Sequence, residues 1–518
     1  MKRSNKIGAL SALAALAASF TLPAWAAPDT TRVIVAFQPG KAAQARAAVA
    51  AAHGAVVQEI LNTEAVAIEV PSQALAGLQH NPNILYIEPD EKRYPLSLPL
   101  ASPDPNHAGQ LLPYGIHLVQ ADMLPANVTQ TMRRVCIIDS GIDRSHEDFV
   151  GNTMTGNSDP NGAGNWYTDE NHHGTHVAGT IAAVSNNTGV VGVNSNGAIQ
   201  LHIVKVFGKD GWAYTSTLAD AANKCGAANA NVISMSLGGA RASKTEENAF
   251  NALQAKGILS VAAAGNDGNR TQSYPAGYSA VVSVGALDVD SNWATFSQYN
   301  NKVELSAPGV GVLSTVPMNS GTASAVDVNS VTYASAPMEG SPTADVSWPL
   351  ADFGDGSVVN AGAMYHKVCL IQRGTIDFAT KVSNCQSSGG AAAIIYNNVA
   401  GSFSGTLGTT VTAIPSVSMS MEDGTALKNG ALGTLAHVVV QPSSYAYYDG
   451  TSMATPHVSG VAALVWSYFP ACSGSQIRTS LDKSAKDLGP AGRDVKYGYG
   501  LVQFRAAYDR IAQYGCGK

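Results

Sequence analysis

Three short stretches, spread over more than three hundred positions, hold an Asp, a His and a Ser in settings suited to acyl transfer. They are Val135-Cys136-Ile137-Ile138-Asp139-Ser140-Gly141, His173-Gly174-Thr175-His176-Val177 and Gly450-Thr451-Ser452-Met453-Ala454. A buried Asp can orient a His, the His can deprotonate a Ser, and the Ser can attack an acyl carbon. Each residue also has a plainer use. Asp139 could be a turn residue, Ser452 a helix N-cap, and His172, His173 and His176 a metal cluster. Against the last, the i, i+4 pair His172 and His176 lacks the intervening Glu of the metalloprotease pattern.

Recognisable elements must hold these residues. Val135 to Ile138 is an apolar run that reads as a buried parallel strand ending at Asp139. Ser452 opens an apolar helix through Val458, Val461, Ala462, Leu464, Val465 and Trp466. The N–H groups at a helix start lack intrahelical partners and lie at the positive end of the dipole, so the Ser452 N–H can help hold an oxyanion. Gly450 lets backbone approach closely, and Pro456 sits where a missing N–H costs little. Val261 to Ala264 reads as a further strand, closed by a Gly265-Asn266 turn. Other apolar runs cover 200–207, 231–237, 258–264, 281–284 and 302–306, with helical stretches at 215–224 and 244–254 between them. That alternation predicts an α/β fold, a parallel sheet with helices on both faces.

Asp, His and Ser occur in the chain order of subtilisin. With their flanks, Asp139, His173 and Ser452 make the chain resemble the subtilisin-like serine proteases, the subtilases. The resemblance implies a secreted serine endopeptidase with Ser452 as nucleophile, His173 as general base and Asp139 as orienting carboxylate. It implies that Asn266 and the Ser452 N–H form the oxyanion hole. It also implies that Ser236, Leu237, Gly238 and Gly239 pair with extended substrate and wall the S1 pocket. Asp267 and Ser273 would lie near that pocket, with a preference for large apolar P1 residues. Gln110, Asp148, Val184, Asn186, Thr188 and Val190 match a family Ca²⁺ site, and an all-oxygen set suits Ca²⁺ rather than zinc. A weaker second cation site would use carbonyls of Ala276, Tyr278 and Val281. Expected partners are protein and peptide substrates and the chain's own propeptide as intramolecular inhibitor, with no nucleic acid, no membrane span and a monomeric state.

At 518 residues with 45% hydrophobic, 13% charged and 51 glycines, the chain suits a compact secreted enzyme rather than a disordered one. A net charge of −6 gives no case for nucleic acid. Lys2, Arg3 and Lys6, an apolar core over 7–22 and Ala24-Trp25-Ala26 have the form of a signal peptide over residues 1–26. Residues 27–109 are expected to be an inhibitory propeptide of small α+β type and a processing linker, exposed from Tyr94 to Gln110. Its strands are expected at 31–37, 65–70 and 84–88, and its helices at 41–52 and 72–79. The catalytic domain is expected over 110–315 and 445–518, the latter including the C-terminal tail. Residues 316–444, an insertion relative to a minimal subtilase, resemble a protease-associated (PA) domain, with signals at 367–374, 378–387, 391–396 and 414–418.

Six cysteines agree with an oxidising compartment and allow fifteen pairings. We expect Cys136–Cys225, Cys369–Cys385 and Cys472–Cys516. Two other classes fit the same residues: a catalytically dead subtilase serving as a binding module, and an esterase. The intact triad and Asn266 speak against the first, the propeptide and the substrate strand against the second.

Overall fold

The structure, a computed structural model, describes residues 29–100, 109–159, 162–197 and 199–518. The leader expected over 1–26 and the linker residues 101–108 lie outside these. A parallel sheet of seven strands forms the centre, in the order Val303–Pro308, Val281–Leu287, Leu259–Ala263, Val232–Met235, Arg133–Asp139, Ile199–Lys205, Thr153–Asn157. Six of them read as largely apolar runs because both faces are covered; the edge strand Thr153–Asn157 is part-exposed, carries no apolar run and is not among the expected strands. Val135 and Ile137 point to one core with the helices His173–Ala182 and Thr451–Tyr468. Cys136 and Ile138 point to the other, with Thr215–Ala227 and Lys244–Ala255.

Residues 30–89 fold as a four-stranded antiparallel sheet in the order Ala55–Glu59, Ala65–Pro71, Thr30–Phe37, Ile84–Pro89. One face carries the helices Ala42–Ala51 and Leu75–Gln79 over Val33, Val35, Val66 and Ile68. The other face, Ile34, Ala36, Ala65 and Ala67, packs on Ala219 and Ala249 of the two helices nearest it. Small residues on those helices allow the close approach.

Residues 316–444 hold an eight-stranded mixed sheet with its own apolar cores and two helices, Phe378–Ser387 and Met421–Gly430. Its long antiparallel strands Gly321–Val328, Ala344–Asp352 and Leu435–Ser443 are not among the expected elements. The ends of this unit meet: Val316 N donates to Ser444 O at 2.8 Å. The flanking strands Val312–Thr315 and Tyr445–Asp449 pair antiparallel, and the second runs directly into Gly450 and Ser452. The cysteines pair as Cys136–Cys225, Cys369–Cys385 and Cys472–Cys516, the expected set.

Candidate active site

Asp139 ends the central strand Arg133–Asp139, His173 begins one helix and Ser452 lies in the first turn of another. Asn266 follows the strand Leu259–Ala263. The groups gather where ligands gather in open α/β sheets, at the carboxyl ends of the strands. Asp139 Oδ1 accepts from His173 Nδ1 at 2.7 Å, and both side chains are buried. His173 Nε2 makes no hydrogen bond among the described residues. Ser452 Oγ donates instead to the carbonyl of Ser236 at 2.7 Å and accepts from Leu96 N at 3.0 Å. The structure thus joins Asp139 to His173 and leaves the His173–Ser452 bond unmade.

Sequence reasoning missed Asp169, which is completely enclosed by five donors. Ser140 Oγ, Asn171 N, His172 N, Thr175 N and Thr175 Oγ1 all point at its carboxylate within 2.7–3.2 Å. Burial nonetheless raises its pKa. It caps the N-terminus of the His173 helix and so fixes the imidazole against Asp139. The signal for it was the Asp169-x-x-x-x-x-Thr175 spacing ahead of a helix, which is weak. His176 is no ligand: its ring stacks on Tyr448 at 4.4 Å and its Nε2 lies 3.0 Å from the carbonyls of Val312 and Ala446. Burial pushes it down to about 3, so it is neutral at pH 7.

The largest departure from expectation lies at Tyr94 to Leu100, read from sequence as exposed linker. Lys92–Pro95 is a strand in the cleft, the middle of three. It pairs antiparallel with Ala213–Tyr214 on one side and with Leu237–Gly238 on the other. Leu98–Leu100 then pairs with the strand Tyr445–Asp449. Between these two segments the carbonyl oxygen of Leu96 accepts from Asn266 Nδ2 at 2.8 Å and from Ser452 N at 3.2 Å. Thr451 sets the direction of the Asn266 amide, since Asn266 Oδ1 accepts from Thr451 N at 3.0 Å and from its Oγ1 at 2.8 Å. Gly450 makes the approach possible: any Cβ there would collide with the Leu96 carbonyl oxygen. Gly238 does the same for the side chain, because its Cβ would clash with Ser273 Oγ and meet Leu96 Cδ1 at 2.9 Å. Leu96, Gly238, Asp267 and Ser273 line one cavity of about 570 Å³.

The subtilase family model matches residues 133–339 and 375–500. The chain belongs to the subtilase family of serine peptidases. Subtilisin DY of Bacillus licheniformis is 40% identical over 218 residues, 41% of this chain and 78% of that protein. Alkaline elastase YaB of Bacillus sp. (strain YaB) is 38% identical over 257 residues, 49% of this chain and 62% of that one. Among solved structures, the psychrophilic subtilisin-like protease Apa1 from the Antarctic psychrotroph Pseudoalteromonas sp. AS-11 shares 41% identity. It covers 79% of this subtilase and 100% of its own chain, with a TM-score of 0.64. Fervidolysin from Fervidobacterium pennivorans, a keratinolytic enzyme related to subtilisin, is 23% identical and covers 93% of this chain and 61% of its own. Its TM-score of 0.59 adds to the likeness of fold alone.

The subtilase's six expected calcium ligands come together in one place. Gln110 Nε2 faces four oxygens at 2.8–3.2 Å: the carbonyls of Val184, Thr188 and Val190, and Asn186 Oδ1. An amide nitrogen has two hydrogens and cannot satisfy four acceptors. The buried Asp148 carboxylate adjoins them, accepting from Asn186 Nδ2 at 3.3 Å and Val190 N at 2.9 Å. Such convergence of oxygens suits a hard cation. The second expected site does not fit one. Arg478 Nη1 donates to Ser279 O at 3.0 Å and its Nη2 to Val281 O at 3.5 Å, while Glu304 holds the same guanidinium. Lys302 and Arg493 line the same cavity as Ala276, Tyr278 and Val281. Three cations against the single Glu304 carboxylate of that cavity disfavour an added cation, and the guanidinium already serves the carbonyl of Val281.

Proposed function

We propose that this subtilase is a secreted serine endopeptidase made as a self-processed zymogen, and that it cuts its own chain between Leu96 and Ser97. Ser452 is the nucleophile, His173 the general base and then acid, and Asp139 the orienting carboxylate. Asn266 Nδ2 and Ser452 N hold the oxyanion. The observation that carries this reading is the Leu96 carbonyl, which accepts both donors at 2.8 and 3.2 Å while residues 92–95 lie as a strand along Leu237–Gly238. A substrate would be held in the same way, with its carbonyl polarised before attack. For the attack, Ser452 Oγ leaves the Ser236 carbonyl and gives its proton to His173 Nε2, which has no other hydrogen-bond partner among the described residues. The His173 imidazolium, steadied by Asp139, then protonates the nitrogen of Ser97 as the Leu96–Ser97 bond breaks. An acyl-enzyme on Leu96 remains and water releases it.

On this reading residues 30–96 are the propeptide, and their C-terminal strand inhibits as a bound product. Three disulfides support an oxidising, extracellular compartment. Gln110, Asp148, Asn186 and the carbonyls of Val184, Thr188 and Val190 would hold a Ca²⁺ ion, which would pin the 184–190 loop. Residues 316–444 are a PA-type insert bordering the cleft. The test is the full chain carrying Ser452→Ala. It should accumulate uncut, while the parent yields a mature enzyme that begins at Ser97. A Ser452→Ala chain that still processes itself, or a mature N-terminus elsewhere, would overturn the respective part.

A further inference from the structure

In the cleft strand, Arg93 occupies the fourth position before the Leu96–Ser97 bond, the P4 position. Among the described residues it is the largest side chain that is fully buried. Its guanidinium enters a pocket beneath the helix Lys244–Ala255. There Nη2 donates to Glu246 Oε2 at 2.7 Å and to the carbonyl of Arg241 at 2.9 Å, and Nη1 donates to the carbonyl of Lys92 at 3.2 Å. The Arg93 and Glu246 side chains are 1% and 0% exposed. Tyr278 Oη lies 2.9 Å from Glu246 Oε2 and 3.0 Å from the Ser243 carbonyl, the two acceptors for its one proton.

Three features show that this pocket is built to hold a cation. The first is the use made of Glu246. Ser243-Lys244-Thr245-Glu246 has the form of a helix capping box, in which the Glu side chain would bond back to the Ser243 N–H. Here Tyr278 Oη takes that N–H at 2.7 Å, and Glu246 is released to face Arg93. The second is Gly239, at the mouth. A Cβ there would stand 2.8 Å from Arg93 Nη1 and 2.7 Å from Lys92 O, so a side chain would close the entrance. The third is the scarcity of other partners for the carboxylate. Glu246 Oε1 has no hydrogen bond among the described residues, so Tyr278 and the incoming guanidinium carry the whole interaction.

We propose that Glu246, with Tyr278 and the Arg241 carbonyl, makes the P4 subsite of this protease an acidic pocket that selects arginine in its protein substrates. The inference rests on the reading above that residues 92–96 lie as substrate does. An apolar P4 side chain would bury the Glu246 carboxylate without a counter-charge. Truncating one partner of a buried, hydrogen-bonded ion pair is costly, and selection should be about 10²-fold. Lysine would reach Glu246 as a point charge but would not span to the Arg241 carbonyl as the planar guanidinium does, and should fall between.

The experiment uses mature enzyme obtained from the full chain and five substrates, acetyl-Xaa-Tyr-Pro-Leu-anilides with Xaa Arg, Lys, Gln, Leu or Glu. We expect kcat/KM to be about 10²-fold higher for Arg than for Leu, with Glu lowest. Glu246→Gln should reduce the Arg-over-Leu ratio at least tenfold, and Glu246→Leu should invert it. If Glu246 variants do not mature, the parent's ranking of the five substrates decides by itself. A parent that cleaves Leu as well as Arg overturns the inference while leaving the cleft assignment intact. A parent that matures at Ser97 but cleaves none of the five after Leu overturns the cleft assignment, and the inference with it.

Discussion

The Asn266 side chain can act as an oxyanion donor only if its amide faces the right way, and Thr451 is what turns it. Thr451 Oγ1 gives Asn266 Oδ1 one of its two hydrogen bonds, at 2.8 Å; the Thr451 N–H gives the other, at 3.0 Å. Thr451→Val keeps the shape and the backbone bond and removes the hydroxyl. A neutral hydrogen bond of this kind contributes about 1 kcal/mol, and at 1.36 kcal/mol per decade that is a loss of about fivefold in kcat. KM should hardly change, because the donor works on charge that develops in the transition state. Removing the donor itself with Asn266→Ala should cost roughly 10²–10³ in kcat, a range that comes from subtilisin itself. The decisive reading is the double mutant. If Thr451 acts through Asn266, adding Thr451→Val to Asn266→Ala should cost nothing further, a coupling of about 1 kcal/mol in the cycle. Kinetics on a peptide anilide would be normalised by active-site titration, because Gly265 N also donates to Thr451 Oγ1 at 3.2 Å and stability could fall. A fivefold loss that persists in the Asn266→Ala background would refute the positioning role.

Three other outcomes are open to measurement. Chelation of Ca²⁺ should shorten the lifetime of mature enzyme at fixed temperature, because a bound ion favours the native state; an Asp148→Ala enzyme that responds to chelator as the parent does would show the site to be misassigned. Because Val316 and Ser444 are joined by a backbone hydrogen bond, residues 316–444 can be replaced by a short linker; small anilides should still be cleaved, while cleavage of casein changes in rate or site, and equal losses on both would make the insert merely structural. Burial raises Asp449 from 3.8 to about 6, so its contribution to stability is complete below the unfolded value and is lost as pH rises to about 6. Asp449→Asn, which can keep the 2.6 Å bond from Gly311 N, should therefore gain in Tm relative to the parent between pH 4 and 7, and a pH-independent difference would refute the assignment.

Six of the sheet's seven strands were legible because they are largely apolar on both faces, whereas the part-exposed edge strand Thr153–Asn157 offers no such run. Val135 to Ile138 alternates between two cores, so it reads as one run, and the run's end places Asp139. The helix after Ser452 was legible for a similar reason: 17 of its residues are buried, and from Val458 to Trp466 it is apolar apart from Ser459. What escaped is held by single polar contacts between distant segments. Asp169 and Thr451 act through hydrogen bonds to atoms whose positions depend on the finished fold. In the antiparallel part of the insert, Gly321–Val328 escaped because its first five residues are small and Val326 and Val328 are its only large apolar side chains. The prolines of Tyr94 to Leu100 suit an exposed linker, but Lys92–Pro95 takes its strand pairing from two segments more than a hundred positions away, which no local pattern displays. Glu246 was invisible as a site residue because Ser-x-x-Glu already has an ordinary explanation as a cap.

The contacts of the N-terminal unit bear on how such a zymogen would become active. Glu88 accepts from Ser243 Oγ, Lys244 N and Thr245 N at 2.8–2.9 Å, capping one helix of the catalytic core. Asp90 accepts from Thr215 Oγ1, Ser216 N and Ser216 Oγ at 2.7–2.9 Å, capping the next. Arg93 fills the Glu246 pocket, and a small apolar face of the sheet packs on Ala219 and Ala249. Every one of these groups lies on the N-terminal side of Leu96. Cutting Leu96–Ser97 removes none of them and forfeits only the effective concentration that the covalent link supplies. The severed unit would therefore stay in the cleft as a bound product, and a cut chain would be inactive until it leaves. Because its sheet and helices enclose a core of their own, the route out is unfolding or digestion of that unit. Activation would then be timed by the stability of residues 30–96 rather than by the chemistry at Ser452.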